Sequence, residues 1–333
     1  MALSLTAGPR QTVRMAADRA APGLNDATFG SLTEGLRRDL LLHCYRFTGS
    51  FHDAEDLVQE TLARAWRGRS GYRGEAGLRT WLRRIATRVC LDAQRRERGR
   101  RTLPSTAGHR SPAGPLWLEP LPDRLLADEE ADPAAAYDLR ESVSLAFLTA
   151  LQQLPPRQRA VLLLRDVLAM SAKETADILD MSVSSANSLL HRGRRALRPG
   201  YIPTQRAPDA TTRQILRSYV QAWEAGDVEA LLRLLKADAV LEMPPIPAAS
   251  IGRAAIRGFL AGSILDGTPD RWRGLTTAAN GGPAVALYQR DGSDYRFTGV
   301  QLLTVDADGI ARVTAYMDPV LASEFALPPK LRG

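Results

Sequence analysis

The stretch from Asp53 to Arg96 constrains this chain more than any other. It opens DAEDLVQETLARAW, and Ala54, Leu57, Val58, Thr61, Leu62, Ala65 and Trp66 recur at three- and four-residue spacing. That spacing draws one apolar stripe along a helix. Asp53 is the expected N-cap, with acids in the first turn, where the helix dipole favours them. Glu55, Asp56, Gln59 and Glu60 are left on the outer face. A Gly-containing loop from Ser70 to Leu78 leads into a second helix, which carries Arg79, Trp81, Arg83, Arg84, Arg88, Arg95 and Arg96. An acidic helix beside a basic one implies one face for a basic protein partner and another for a polyanion.

The run DAEDLVQETLARAW followed by YRGEAGLRTWLRRIA resembles the second conserved region of bacterial RNA polymerase sigma factors of the extracytoplasmic-function (ECF) group. The resemblance implies that Glu55, Asp56, Gln59 and Glu60 bind the clamp helices of core RNA polymerase. It also implies that Tyr72, Arg73, Trp81, Arg83, Arg84 and Arg88 melt promoter DNA and hold a flipped base.

The formal net charge is +7, and Phe29 to Arg101 alone holds 16 Arg against nine Asp or Glu, the same excess. A nucleic-acid partner is therefore allowed, and its attachment is expected here. The two cysteines, Cys44 and Cys90, sit in apolar helical patterns without a Cys/His cluster, so they are expected as reduced core residues of a cytoplasmic protein with no metal. No run of about 18 apolar residues predicts a membrane span. Residues 1–28 lack a signal-peptide core and are expected to form a disordered tail, with Met1 and Met15 both open as natural starts.

Phe29 to Arg101 is expected as the first all-α domain, with Leu36, Leu40, Leu41, Cys44, Tyr45 and Phe47 packing beneath the charged pair of helices. Residues 102–133 form a linker rich in Pro, carrying Glu119, Asp123, Asp128, Glu129, Glu130 and Asp132 against Arg110 and Arg124. A solvated tether is one reading. The other comes from the resemblance, in which an acidic linker threads through the polymerase toward the RNA exit path.

Residues 134–199 are expected as a second all-α domain. Ser171 and Glu174 make an S-x-x-E capping box for a short helix ending at Leu179, Asp180 turns the chain, and Val183 to Leu197 form a longer basic helix. A short helix, a tight turn and a longer helix make a helix-turn-helix. Ile178, Leu179, Val183, Ala186 and Leu190 are expected between the helices, while Ser184, Ser185, Asn187, Ser188, His191, Arg192 and Arg195 line the outer side. Asn can pair bidentately with adenine in a major groove, and the arginines suit phosphates. LPPRQRAVLLLRDV and SAKETADILDMSVSSANSLLHRGRRAL are similar to the fourth conserved region of the same sigma group, which reads the distal promoter element. Asn187 and Leu189 stand where commoner members carry Lys and Arg, so base preferences do not transfer.

After a linker at 200–210, residues 211–333 are expected as an α+β domain. Amphipathic helices begin near Ile215 and Val228, and apolar alternation marks strands near 239–243, 276–279, 285–289, 295–305 and 310–316. VEALLRLLKADAVLEMPP resembles the SnoaL-like branch of the nuclear-transport-factor-2 (NTF2-like) fold, a helix-covered cone. Catalytic relatives use a pocket carboxylate, for which Asp238, Glu242 and Asp318 are the candidates, beside Tyr219, Trp223, Tyr288 and Tyr316. Turn positions and core packing explain these residues more simply. The expectation is no enzyme and no cofactor, with the domain regulating by a small-molecule ligand or by intramolecular docking. The closing segment Asp318 to Pro328 is either such a docking contact or a cap on the cone.

The expected fold is thus multidomain: two all-α sigma domains, the second with a helix-turn-helix, then an NTF2-like cone. The expected function is a sigma factor that binds core RNA polymerase and directs promoter recognition, DNA melting and initiation on double-stranded and melted promoter DNA. The alternatives are a ligand-sensing helix-turn-helix regulator that does not touch the polymerase clamp, and an isomerase or hydrolase with DNA-binding ornaments.

Overall fold

The computed structural model describes residues 26–74, 76–100, 118–126, 133–197, 210–246 and 248–333. The expected N-terminal tail up to residue 25, the two start codons, the acidic residues Asp128, Glu129, Glu130 and Asp132 with Arg110, the last two residues of the expected second domain and residues 200–209 of the second linker lie outside them.

The chain divides into two compact units. In the first, α1 (Asp26–Thr48), α2 (Phe51–Gly68) and α3 (Leu78–Arg100) pack pairwise around Leu40, Cys44, Tyr45, Phe47, Ala54, Val58, Ala65, Leu82, Ala86 and Val89, all buried. The cap of α2 is Ser50, whose hydroxyl accepts from the Asp53 amide; Asp53 itself lies in the first turn. The cap lies three residues before the expected Asp53 because the helix already starts after the Gly49 turn, leaving Asp53 to favour the dipole from inside the helix. Both cysteines are free and buried, and burial pushes the Cys90 thiol well above its ordinary range.

The same unit contains α6 (Pro156–Leu162), a wide π-helical turn (Leu163–Val167), α7 (Ala172–Leu179) and α8 (Val183–Leu197). Ser171 and Glu174 form the capping box, and Asp180 takes the left-handed conformation with φ of 53°. Ile178, Leu179, Ala186 and Leu190 are buried as expected, but Val183 is 42% exposed. As the first residue of α8 it lies before the helix face that turns inward begins at Ala186. Both α6 and α7 rest on α3. Arg159, only 6% exposed, donates to the carbonyls of Phe47 and Leu154, and Arg88 Nε donates to the Ile178 carbonyl at 3.3 Å.

The second unit is the cone. Helices α9 (Ala210–Glu224), α10 (Val228–Leu234) and α11 (Arg253–Ser263) accompany a sheet of β1 (Leu235–Glu242), β2 (Ala249–Ile251), β3 (Trp272–Ala279), β4 (Gly282–Asp291), β5 (Asp294–Asp306), β6 (Gly309–Tyr316) and β7 (Lys330–Arg332). The order is β2-β1-β6-β5-β4-β3, with β7 on β5; β1 runs parallel to β6 and every other pair is antiparallel. One apolar cluster joins the helices to Val285, Leu287, Leu303, Val305 and Val313. A second, on Ala284, Ala286, Tyr288, Phe297, Val300 and Leu302, is capped by α12 (Leu321–Glu324) through Leu321, Ala322 and Phe325. The closing segment therefore caps the sheet.

Two further helices, α4 (Pro133–Glu141) and α5 (Leu145–Gln152), together with residues 118–126, belong to this second unit, where Leu145 packs on the second cluster. The compact units thus part between α5 and α6, inside the stretch 134–199 expected as one domain.

His43 gives the first unit a pH dependence. Its Nε2 lies 3.0 Å from Thr87 Oγ1, whose hydroxyl donates to the Arg83 carbonyl, so the network assigns the ring proton to Nε2. Burial pushes the imidazole down to about 3, with Arg83 and Arg46 adding repulsion against the attraction of Asp39. A base with a depressed folded pKa contributes stability that is complete above its ordinary 6.5 and lost as pH falls from there toward 3. The thermal midpoint of this unit should therefore drop between pH 7 and pH 5, by at most about 1.4 kcal/mol per pH unit in stability. Calorimetry of His43→Gln should show a flatter dependence over the same range.

Candidate nucleic-acid interface

Helix α2 presents Glu55, Asp56 and Gln59 to solvent because Ala54, Leu57, Val58 and Thr61 take the inner positions. Glu60 is half-buried and reaches Arg64 at 2.7 Å, and Arg64 also bonds Asp92 of α3 at 3.1 Å. The hydrogen bond from Arg64 holds the Glu60 carboxyl below its usual range. Three of the four expected partner-facing groups are thus free surface, while Glu60 also ties α2 to α3.

On the basic side the structure separates the candidates. Arg73, Arg84 and Arg88 are exposed, and Trp81 is half-buried. Tyr72 is not a surface contact: it is 6% exposed, donates its hydroxyl to the Ala76 carbonyl, and packs its ring 5.2 Å from that of Trp81. The loop folds back on itself, so Tyr72 shapes it instead of facing a ligand. Arg83 is likewise corrected. Its guanidinium grips Asp39 of α1 through two bonds, 2.9 and 2.6 Å long. Burial alone would raise the Asp39 carboxyl, but Arg83 outweighs it and holds it below the ordinary range. Helical spacing does not separate Arg83 from Arg84; the acid that selects one of them lies 44 residues away.

The outer side of α8 meets the expectation of exposure at every position: Ser184, Ser185, Asn187, Ser188, His191, Arg192 and Arg195 all face solvent. Ser182 holds the helix entry by bonding Ser184, Ser185 and the Ser185 amide. Arg194 pairs with Asp166 of the π-helical turn at 2.5 and 2.9 Å and so fixes how α8 lies on α6 and its extension.

In the cone, the candidate carboxylates stay outside the apolar interior. Asp238 and Asp318 are exposed, and Glu242 is held by Arg312 and Thr314 at 2.9 Å each. The helix-side interior is filled instead by Tyr219, Trp223 and Trp272, with the Tyr219 hydroxyl on Gln301 at 2.7 Å. Tyr288 and Tyr316 belong to the other face. The described residues contain no cluster of three or more His, Cys, Asp or Glu that could hold a metal, and no described helix is long and apolar enough to cross a membrane.

The feature missed in sequence is the hairpin tip between β3 and β4. Asn280, 4% exposed with φ of 54°, accepts from the Leu121 amide at 2.9 Å and donates its own amide to the Leu121 carbonyl at 2.8 Å. Its side-chain nitrogen donates to the Val143 carbonyl at 2.8 Å, just before α5. Pro122 bridges to Ala279, the Gly281 amide donates to Asp123, and Arg124 donates to the Glu324 carbonyl. Burial pushes the Asp123 carboxyl up to about 6 against the pull of the Gly281 amide and Arg140. Gly281 has φ of 76°, and a Cβ there would meet the Arg140 side chain at 2.8 Å, so only glycine fits. Leu118, Leu121 and Leu126 are buried. Residues 118–126 are therefore no solvated tether.

The described residues thus combine an acidic helix face, a basic helix face and an exposed helix-turn-helix with an α+β cone, the make-up of a multidomain protein of the helix-turn-helix class. Family models agree: residues 32–100 match Sigma-70 region 2, residues 144–197 match Sigma-70 region 4, and residues 216–313 match a SnoaL-like domain. The ECF RNA polymerase sigma factor SigG of Mycobacterium tuberculosis is 45% identical over 316 residues, spanning 91% of this chain and 85% of that protein. The SigJ factor of the same organism is 31% identical over 227 residues, 68% of each chain. The crystal structure of SigJ superposes with a TM-score of 0.59 over 90% of this chain and 100% of that one, at 24% identity, which extends the likeness to the fold. The chain belongs to the ECF RNA polymerase sigma factor family.

The inward Arg83 and the outward Arg84 should behave differently on truncation. Arg83→Ala strips a partly buried carboxylate of its partner and should cost about 3 kcal/mol in urea unfolding. Arg84→Ala should stay within about 0.5 kcal/mol of the parent.

Proposed function

We propose that the chain acts as a sigma factor: it docks on core RNA polymerase through Glu55, Asp56 and Gln59, and opens and reads promoter DNA with α3 and α8. The observation that carries this reading is the pairing of two exposed faces of opposite sign on adjoining helices of one bundle. A DNA-binding regulator acting alone has use for only the basic one. Arg73, Arg84, Arg88 and Trp81 are the groups assigned to the melted proximal element, where cations meet phosphates and an indole can stack on an unpaired base. Asn187, with Ser184, Ser185, Ser188 and His191 around it, is assigned to base edges of the distal element, and Arg192 and Arg195 to its phosphates.

The cone is assigned a regulatory role without chemistry of its own. The placement of Asp238, Glu242 and Asp318 away from the apolar interior supports that assignment. None of these three carboxylates is drawn into the helix-side apolar cluster, where a raised pKa would suit proton abstraction.

Run-off transcription with core RNA polymerase tests the reading. The intact chain should give a promoter-dependent transcript. Asp56→Arg with Gln59→Lys should leave the circular dichroism spectrum unchanged and weaken core binding by at least about tenfold, since like charges would now face a basic partner. Absence of any promoter-dependent transcript from the intact chain would overturn the assignment. On promoter DNA, binding by the holoenzyme should fall steeply with salt. Asn187→Ala should lose about 1–3 kcal/mol only on promoters whose distal element it reads.

A further inference from the structure

Ser182 ends the turn that leads into α8, and none of the promoter contacts assigned above falls on it. Its hydroxyl oxygen nevertheless makes three hydrogen bonds: with the Ser185 amide at 3.1 Å, with Ser185 Oγ at 2.8 Å and with Ser184 Oγ at 3.0 Å. A serine hydroxyl has one proton to give and two lone pairs to fill. The Ser185 amide fills one lone pair, which is the work of an N-cap. The single proton goes to Ser185 Oγ. Only a lone pair is left for Ser184, so Ser184 is the donor of the third bond. Ser182 is then saturated and has nothing left to offer a base.

The two neighbours leave this network with opposite remainders. Ser184 has given its proton away, and only lone pairs remain to it. Ser185 has received a proton and keeps its own. Both are exposed in the first turn of α8, the end of a recognition helix that meets base edges in a helix-turn-helix. In the major groove adenine and cytosine present an amino donor, whereas guanine and thymine present keto oxygens. A hydroxyl that can only accept bonds the first pair and sets acceptor against acceptor with the second. Ser188, one turn further on, has no partner for its hydroxyl among the described residues, so its proton is free to turn toward either kind of edge.

We propose that Ser182 is a specificity-determining residue of the promoter-reading helix. By fixing where two hydroxyl protons point, it makes Ser184 select an amino-bearing base, adenine or cytosine, in the distal element. Ser185 is left to donate to a keto oxygen or a purine N7. This rests on the sigma-factor reading, and the role is one of positioning, because Ser182 itself touches no base. The geometry goes beyond a plain cap. A cap needs only the amide bond, and the two hydroxyl bonds satisfy no further group of the helix end. A hydroxyl that has donated is also polarised into a stronger acceptor, which sharpens the choice Ser184 makes.

The test offers the full chain, bound to core RNA polymerase, a pool of promoters randomised over the distal element, and sequences those retained. Ser184→Ala and Ser185→Ala locate the base opposite each hydroxyl as the position whose selection disappears. Opposite Ser184 the parent should favour adenine and cytosine over guanine and thymine by about fivefold, the size of one hydrogen bond's net contribution. Ser182→Ala frees the Ser184 proton and should bring that ratio to about one. Ser182→Thr keeps the hydroxyl and should preserve the ratio. Ser182→Asp still caps α8 but has no proton to give, so both neighbouring hydroxyls donate to it. The preference opposite Ser184 should then survive, and the position opposite Ser185 should acquire the same preference for amino-bearing bases. The added charge weakens binding to every promoter alike and cancels in the ratio. Unchanged base ratios in Ser182→Ala and Ser182→Asp, with or without a uniform loss of affinity, would overturn the proposal, as would a parent that selects no base opposite Ser184. Should Ser182→Ala fail to fold, the Asp variant, whose cap is intact, decides. A parent chain that gives no promoter-dependent transcript would instead strike the sigma-factor reading.

Discussion

Arg159 brings a guanidinium into a position that is 6% exposed, and the helical unit is arranged around the need to satisfy it. A charge taken out of water is tolerated only where polar atoms replace its hydration. The Phe47 carbonyl, near the end of α1, and the Leu154 carbonyl, before α6, provide them. The side chain thereby fastens a residue of region 4 to the end of α1, close enough to act on the buried Cys90 thiol. Asn280 solves the same kind of problem in the cone's unit. It is a buried amide whose groups are answered by backbone from two distant stretches. In both places the polar atom is what makes the contact specific, since an apolar side chain could be buried there in many orientations and these cannot.

The net charge of the chain says little until the arginines are sorted by what they touch. Arg83 is held by Asp39, Arg194 by Asp166, and Arg64 by Glu60 and Asp92, so none of these is wholly available to a polyanion. Arg46 is buried deeply enough that its guanidinium is pushed down to about 10, with Asp39 opposing the shift. What remains outward and outside any ion pair among the described residues of α3 and α8 is a smaller set, Arg84, Arg88, Arg96, Arg192 and Arg195. Arg88 is a special member of it. Its Nε donates to the carbonyl of Ile178 in α7 at 3.3 Å, a long, partly buried bond; a phosphate would offer a full charge where the carbonyl offers a partial one.

Much of this was legible in sequence because it is local. The capping box of Ser171 and Glu174, the left-handed turn at Asp180, the apolar stripe of α2 and the alternation in β4, β5 and β6 are each set by residues within a few positions of one another. The larger failures are non-local: whether Arg83 or Arg84 faces solvent is settled by Asp39, and the fate of residues 118–126 is settled by Asn280, more than 150 residues on. Pro, Gly and acidic residues predict that such a stretch cannot make a helix; they do not predict that it lacks a partner. Two failures were local and concern loop geometry, which carries no period: the α2 cap at Ser50 and the loop that closes Tyr72 onto Ala76 and Trp81. The short strands β2 and β7 escaped for the same reason, since three residues carry no period and their pairing is decided by the strand beside them.

The family match to residues 144–197 and the packing of those residues divide the chain at different places, because each follows a different kind of contact. Leu145 of α5 packs on the second apolar cluster of the cone, and the Val143 carbonyl before it accepts from Asn280. Helices α6 and α7 pack on α3, and Arg159 fastens α6 to the end of α1. Similarity runs along the chain, while a compact unit follows burial, so a helix whose apolar side chain finds a sheet more than a hundred residues on is counted with that sheet. The turn beside it accepts only Gly at 281, where a Cβ would meet the Arg140 side chain.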